Sequence, residues 1–386
     1  MAAADEPARG PRGAAPPCRR EPRPPLWPAR RGRPRAARAR DPPRGVRVSP
    51  QGRLALVVGG LAALFVAVAA AALLLGSAAL SPRRVISAVT GRAAAGSIES
   101  VVTLSIRLPR IAVAALAGGA LAVAGVAFQA LTRNPLAEPS VLGISGGAAF
   151  GVVIGQSFGL GLTVVEAVGL TGFAFAGALL AAAAVYLIAA AGRGVIQVQT
   201  LLLAGVIVGI FCSAAITVII SLLDMNRLGG VIHWLLGNVA PIPPGALGLF
   251  AILLAVGFGL VLRHARELNL LALGEESAQQ LGVNAERLKL TIFLGAALLT
   301  ASVVAFAGPI GFVGLVVPHM LRMLLGPDNR LLVPTSLVGG ATFLLVADTV
   351  ARNVVAPAER SVGVITSFCG APFFVYLLRT RYRGLM

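Results

Sequence analysis

Charged side chains are scarce in this sequence, at 12% of 386 residues, whereas a typical soluble domain carries about 25%. Apolar residues make up 57% of the chain, and the mean hydropathy is +0.86. Although the net charge is +18, this composition excludes a soluble nucleic-acid-binding protein. It indicates instead a chain that crosses a membrane many times.

Lysine, cysteine and histidine are also rare. A phosphate-binding P-loop needs a lysine between glycine and Ser or Thr, but the single lysine, Lys289, stands between two leucines. The three cysteines and three histidines have no metal-ligand spacing. No nucleophile–base set and no carboxylate pair deep in the apolar segments is evident. We therefore expect no enzymatic activity, no cofactor and no metal site, and ATP hydrolysis would have to come from a partner.

Most of the positive charge lies in the first 53 residues, which hold 14 arginines and four acidic residues. Residues 1–50 are rich in Arg, Pro and Ala and show no apolar periodicity. Such a segment buries too little surface to offset its ordering entropy, so we predict a disordered cytoplasmic tail. An RNA- or lipid-binding arm and a start codon placed too far upstream are the alternatives. Residues 54–386 are expected to form the transmembrane domain.

Helical membrane spans need about 20 apolar residues, and ten segments approach that length. The predicted fold is therefore all-α, a polytopic bundle of ten spans. The spans are expected at about 54–80, 111–131, 141–161, 167–191, 199–223, 244–262, 288–307, 309–325, 331–350 and 362–378. An even number places both termini on one side, and the basic tail places that side in the cytoplasm.

Two of these segments are interrupted by glycine and proline. They read Arg133-Asn-Pro-Leu-Ala-Glu-Pro-Ser-Val-Leu-Gly-Ile-Ser-Gly-Gly147 and Gly308-Pro-Ile-Gly-Phe-Val-Gly-Leu-Val-Val-Pro-His319. Lipid cannot satisfy a bare backbone N–H or C=O, so both must be buried in protein or line a water-filled path. That pattern favours a transporter. The candidate pathway or gating residues are Asn134, Pro135, Pro309, Gly311 and Pro318.

The prolines of the second segment carry separate expectations. Pro309 can start a helix, because its missing N–H would be unpaired there anyway. Pro318 lies inside a span and should kink it. His319 beside Arg322 is either a functional titratable group or, in the interpretation we favour, a structural hydrogen-bonding partner.

The longest charged loop on the predicted cytoplasmic side covers residues 273–289. Gly274 and Gly282 bracket Glu275–Leu281, where Ala278 and Leu281 are small or apolar at i,i+3. This arrangement is typical of a short surface helix that ends at a glycine. Such a helix is either an ordinary connector or an element that docks in a groove of another protein.

Arginines also stand at the predicted outer ends of the spans. Arg107 and Arg110 flank Pro109, and Arg352 follows Asp348 by one helical turn. They either snorkel and pair locally, as Asp348 and Arg352 could at i,i+4, or present charge to a partner protein.

Four blocks in order carry a family resemblance: Arg107-Leu-Pro-Arg110, the two interrupted segments, and Gly370-Ala-Pro-Phe-Phe374. On these blocks the chain resembles the permease subunits of iron-siderophore and vitamin B12 ABC importers, the FecCD type, over about residues 54–386. Family members usually carry a Leu-Pro pair before Val362-Gly363, where this chain has Arg360-Ser361.

The resemblance implies the ten-span B12-permease fold and two short cytoplasmic helices in residues 273–287. It implies a homo- or heterodimer of permease chains on two ABC ATPase subunits, with an extracytoplasmic substrate-binding protein. It assigns ATPase coupling to Gly274, Glu275, Ala278, Leu281, Gly282 and Val283. It assigns docking of the binding protein to Arg107, Arg110 and Arg352.

The expected function is import across the cytoplasmic membrane of a bacterium, with both termini in the cytoplasm and alternating access powered by the partner ATPase. Ferric siderophore ranks first as cargo, followed by cobalamin and haem. An ion-coupled secondary transporter is the main rival, but it needs acids or histidines at mid-membrane depth. Glu166, Asp224, Asp348 and Glu359 all fall at or near span ends, which argues against it.

Overall fold

The computed structural model describes residues 50–383, except 77–79, 95, 158–161, 192–195, 224 and 355–360. The predicted tail at 1–50 therefore falls, apart from its last residue, outside the described residues, as do Arg360, Asp224 and Glu359.

The described part of the chain is helical and contains no β-strand. Its helices are α1 Pro50–Leu74, α2 Pro82–Val89, α3 Ile98–Ser100, α4 Leu108–Thr132, α5 Ile144–Ser157, α6 Leu162–Ala190, α7 Val198–Ser221, α8 Met225–Leu235, α9 Pro244–Arg263, α10 Ala265–Leu271, α11 Glu275–Gln280, α12 Ala285–Ala307, α13 Val313–Leu325, α14 Asn329–Asn353 and α15 Val362–Arg383. A π-helical stretch, Val101–Arg107, leads into α4, and a 3₁₀ turn, Pro139–Leu142, precedes α5.

Seven of these helices are long and apolar enough to cross a membrane: α1, the continuous α3–α4 stretch, α6 from Gly169, α7, α9, α12 and α14. Three shorter apolar helices, Ile144–Ser157, Val313–Leu325 and Val362–Val375, occupy the other predicted span positions. Helical membrane architecture is thus confirmed, whereas the count of ten spans stays a prediction. Two of these three short helices belong to the segments that glycine and proline interrupt.

Helix α4 forms the centre of the bundle. Of its most apolar stretch, 83% is buried inside the protein, against 72% for α12 and 61% for α14. The peripheral α1 buries 6% of the equivalent stretch, so its apolar side chains face outwards. Since lipid tails are as apolar as leucine, exposed apolar surface of this kind suits a membrane, and packing rather than hydrophobic burial must hold the central helices together.

Paired glycines bring the central helices into backbone contact. Gly118 of α4 faces Gly340 of α14, Gly125 of α4 faces Gly314 of α13, and a Cβ at Gly118 or Gly125 would collide with the partner's carbonyl oxygen. Small residues at such crossings let two backbones approach closely, which is the usual way that helices associate in lipid.

We expect Gly125→Ala to destabilise the protein by about 1–3 kcal/mol, because the new methyl group can be admitted only if α4 and α13 move apart. Unfolding in mixed detergent–SDS micelles measures the change. Gly59→Ala in α1 is the matched control, since a Cβ there meets nothing within 4 Å. Equal stability of the two variants would contradict the backbone contact.

Candidate functional site

A buried charge cluster joins the first turn of α4 to the last turns of α14. Asp348 is fully buried and accepts hydrogen bonds from Arg110, whose Nη2 lies 3.0 Å from Oδ1 and whose Nε lies 3.2 Å from both oxygens. Arg352 forms the second ion pair, with Nε 3.1 Å from Oδ2 of Asp348. Both arginine side chains are 5% exposed. We call these three residues the Asp348 cluster.

Arg107 lies at the same end of the bundle and caps the C-terminus of α1. Its Nη1 donates to the carbonyl oxygens of Leu73 at 2.5 Å and Leu74 at 3.4 Å. The last carbonyls of a helix lack intrahelical partners, so this guanidinium closes the C-terminus of α1 and attaches that peripheral helix to the start of α4.

The three arginines predicted to dock a binding protein are therefore close together and make internal contacts. The i,i+4 pairing of Asp348 with Arg352 is observed. The pairing of Arg110 with Asp348 spans 238 residues of sequence, which no local pattern could reveal. A docking role for Arg107, Arg110 and Arg352 stays a prediction.

The first interrupted segment begins with a tight helix end. Arg133 takes a left-handed conformation at φ 51° and follows the last residue of α4. The N–H of Asn134 donates to the carbonyl of Gln129, and its side-chain Oδ1 accepts from the N–H of Leu136. Pro135 then keeps the chain from continuing as a helix. These residues turn the chain back towards the bundle.

The second interrupted segment corrects the expectation for Pro309. It does not start a helix: α12 ends at Ala307, and α13 begins at Val313. The intervening backbone cannot be helical because Gly308 has φ 71° and Phe312, which precedes α13, has φ 69°. Pro318 does lie within α13, as predicted.

The two interrupted segments meet through Glu138. Its Oε1 accepts the N–H of Phe312 at 2.5 Å, and a Cβ at Gly311 would lie 3.8 Å from the same oxygen. Burial raises the pKa of the Glu138 carboxyl, while the N–H of Phe312 and the side chain of Ser140 act in the opposite direction. One carboxylate thus satisfies the irregular backbone ahead of α13.

A second contact reinforces this meeting point. Gln129 of α4 is buried and donates through Nε2 to the carbonyls of Gly314 and Leu315, while Nη1 of Arg322 donates to its Oε1 at 2.6 Å. We call Gln129, Glu138, Phe312 and Arg322 the junction. Neither Gln129 nor Glu138 is a candidate from sequence, although Glu138 lies inside the first interrupted segment.

The predicted loop helix is present as α11, at Glu275–Gln280. Gly274 and Gly282 flank it with φ 115° and 85°, and Ala278 is fully buried. Leu281, in contrast, is 60% exposed.

Only one of the two helices expected within 273–287 lies there. The other, α10 at Ala265–Leu271, precedes the loop, because Asn284 caps α12 and leaves no room after α11. Asn269 attaches α10 to the start of α14: its Nδ2 donates to Asp328 at 2.7 Å, and its Oδ1 accepts the N–H of Asn329.

Comparison with known proteins decides the family. The FecCD transport family matches residues 63–380. The chain belongs to this family.

Named relatives of this FecCD chain are import permeases of different cargoes. The Halobacterium salinarum cobalamin import system permease protein BtuC is 42% identical over 281 residues, 73% of this chain and 74% of that protein. The Yersinia pestis hemin transport system permease protein HmuU is 42% identical over 71% of this chain and 82% of its own length. The ferric enterobactin permease protein FepD of Escherichia coli K12 is 36% identical over 86% of this chain and 97% of its own.

A solved structure supports the fold of this FecCD protein. It is described as an inward-facing conformation of a metal-chelate type ABC transporter, and it matches with a TM-score of 0.72 at 32% identity over 84% of this chain and 99% of that one. The chain is therefore a membrane protein of a family of ABC importer permeases.

We expect Asp348→Asn to cost about 3–5 kcal/mol of stability, because it leaves two buried guanidinium groups without their carboxylate. The same mixed-micelle unfolding assay measures the loss. Arg84→Gln is the control: Arg84 is 64% exposed and lies 3.3 Å from Glu99, and such a surface pair contributes about 1 kcal/mol or less. A loss no larger than that of the control would show that Asp348 is dispensable.

Proposed function

We propose that this chain is the transmembrane permease subunit of a binding-protein-dependent ABC importer that moves ferric siderophores across the cytoplasmic membrane of a bacterium. The observation that carries the proposal is α11, a short helix held on the bundle by its buried face with apolar side chains exposed at both ends. Both termini would lie in the cytoplasm, on the side of α11. Energy would come from partner ATPase subunits.

The surface around α11 suits docking into another protein. Ala278 is fully buried and Val283 is 8% exposed, so these residues fix the helix to the bundle. Leu273 and Leu281, at its two ends, are 66% and 60% exposed. Two exposed leucines beside a short polar helix are what a hydrophobic groove of a partner can accept. We assign Gly274, Glu275, Ala278, Leu281, Gly282 and Val283 to this coupling element.

The junction is the element on which such coupling would act. Asn134 and Pro135 form the turn after α4, and Pro309, Gly311 and Pro318 lie in or beside the segment that Glu138 satisfies. Interrupted helices buried between spans are where transporters place their paths and gates. We propose that the non-helical stretches of this region, between α4 and α5 and between α12 and α13, rearrange as the bundle alternates between outward- and inward-open states.

A second permease chain is proposed to complete the path. A groove of about 560 Å³ lies along α7, lined by glycines such as Gly205 and Gly209, by the hydroxyls of Ser213 and Thr217, and by apolar side chains such as Ile210. Ile210 is 64% exposed, and the neighbouring Phe211 is 67% exposed. A groove of small residues and hydroxyls among exposed apolar side chains suits close packing of a partner helix.

An extracytoplasmic substrate-binding protein is proposed to dock at the opposite end from α11. Arg107, Arg110 and Arg352 lie there together, and the Asp348 cluster holds two positive charges against one negative charge. Because these guanidinium groups are almost fully buried, the surplus would act on an acidic partner surface through its electric field, and charge complementarity of this kind sets register and association rate more than affinity. Siderophore is ranked before cobalamin and haem as cargo because siderophore permeases are the commoner members of this family.

Leu281→Arg should abolish uptake and co-purification of the ATPase while the chain stays in the membrane, because a charge replaces the exposed apolar contact at the end of α11. Pull-down of the ATPase subunit with the tagged permease measures this. Leu281→Met, which keeps an apolar side chain of similar volume, should retain both activities. If Leu281→Arg recovers as much ATPase as the native chain does, α11 is not part of the interface with the ATPase.

Cargo is tested by uptake of radiolabelled iron, supplied as a ferric siderophore, in a deletion strain with and without this chain. We expect ATP-dependent uptake only when the chain is present. The same strain is then given labelled cobalamin and haem. Uptake of cobalamin or haem without uptake of iron would support an ABC importer with a different cargo. Uptake that depends on an ion gradient instead of ATP would contradict the proposal that this chain belongs to an ABC importer.

A further inference from the structure

The only lysine of the chain is buried at the centre of a polar hub beside α11, whose two carboxylates, on Glu275 and Glu286, are 32% and 35% exposed. Lys289, in the second turn of α12, is 1% exposed. Its Nζ lies 2.6 Å from Oε1 of Glu286, 3.1 Å from Oε2 of Glu275 and 2.6 Å from the carbonyl oxygen of Ile196. An ammonium group has three N–H donors, and this one meets three acceptors. We call these four residues the Lys289 hub.

Each partner of Lys289 belongs to a different element. Glu286 lies in the first turn of α12, and Glu275 lies in the first turn of α11. Ile196 stands two residues before α7 and is bound at both backbone groups, because its N–H also donates to Oε2 of Glu286 at 2.9 Å. A buried charge is costly to separate from its partners, so the hub resists relative displacement of α11, α12 and the start of α7.

We propose that Lys289 is a positioning residue that delivers the displacement of α11 to α7. Given the proposed function, a movement imposed on α11 by the ATPase would pass through Glu275 and Lys289 to Ile196. Helix α7 begins at Val198 and lines the groove proposed as part of the cargo path. Coupling would thus reach the path by a short polar link, in addition to any movement of α12 itself.

Two other connections of α11 are less direct. Residues 281–284 join α11 to α12, whose Glu286 accepts the N–H of Ile196, and Ala278 holds α11 by the packing of its buried methyl group. Asn269 joins α10 to the start of α14 by neutral and charged hydrogen bonds, which leads away from α7. Among the described contacts of α11, the ion pair of Glu275 with Lys289 is the one that continues to α7.

The first test measures how firmly the Lys289 hub holds α11, in the absence of cargo and ATPase. In the full-length chain in detergent, hydrogen exchange is followed in the peptide that covers α11. Lys289→Met should speed exchange there by about tenfold or more, because α11 loses its charged attachment. Glu276→Gln is the matched control: Glu276 adjoins Glu275 but is exposed, so exchange should stay at the native rate. Equal exchange in Lys289→Met and the native chain would overturn the proposal.

The second test measures coupling in proteoliposomes that contain the permease with its ATPase. With a labelled ferric siderophore as probe, or labelled cobalamin or haemin if the native chain takes up that cargo, Lys289→Met should lower cargo moved per ATP hydrolysed by about tenfold. The ATPase should still co-purify and hydrolyse ATP. Unchanged cargo per ATP would overturn the link, whereas absence of ATPase binding or uptake in the native chain would instead overturn the proposed function.

A further pair of variants keeps the test decisive if Lys289→Met does not fold. Glu275→Ala removes the attachment to α11 but leaves Lys289 paired with Glu286 and Ile196, so it should fold, keep the ATPase bound and show the same loss of coupling. Lys289→Arg keeps the positive charge, but a guanidinium group cannot direct three N–H donors from one atom. This variant should therefore couple better than Lys289→Met and less well than the native chain. Full coupling in Glu275→Ala would contradict the link.

Discussion

A lipid bilayer offers no hydrogen-bonding partner, and this constraint bears on the two interruptions that follow α4 and precede α13. The chain leaves helical geometry between Thr132 and Ile144 and again between Ala307 and Val313, and in both places protein groups replace water. In the first stretch Asn134 satisfies the N–H of Leu136, and in the second Glu138 satisfies the N–H of Phe312. Gln129 satisfies the carbonyls of Gly314 and Leu315 in the first turn of α13. The charges obey the same rule, since Arg110 and Arg352 are buried only because Asp348 is buried with them. A path for a polar cargo can pass near such points because their polar groups are already supplied by the protein.

The sequence predicts those parts of the fold that depend on local pattern. Long apolar runs place the helices, and Gly274 and Gly282 mark the ends of α11, because a positive φ at these positions favours glycine. The prediction that a helix starts at Pro309 is wrong because Gly308 and Phe312 both take positive φ. Nothing in the local sequence indicates a positive φ at a phenylalanine. The sequence also places α10 wrongly, inside a loop that α11 and the cap of α12 already fill.

The long-range contacts lie beyond such reasoning. Glu138 and Phe312 are 174 residues apart, Lys289 and Ile196 are 93 residues apart, and each pairing exists only because the bundle brings two helix ends together. For Lys289, the i,i+3 pair with Glu286 can be read from the sequence, whereas its contacts with Glu275 and Ile196 cannot. Family resemblance supplies the roles of α11 and of Arg107, Arg110 and Arg352, but it does not supply the internal contacts that hold them.

The glycine pairs have a mechanical consequence. Where Gly118 meets Gly340 and Gly125 meets Gly314, main chain rests directly on main chain, with no layer of side chains that could change rotamer and absorb a displacement. Helices α4, α13 and α14 should therefore behave as one stiff block. An importer built on this chain would open and close its path by rigid-body rotation of the less buried helices, such as α7, relative to that block.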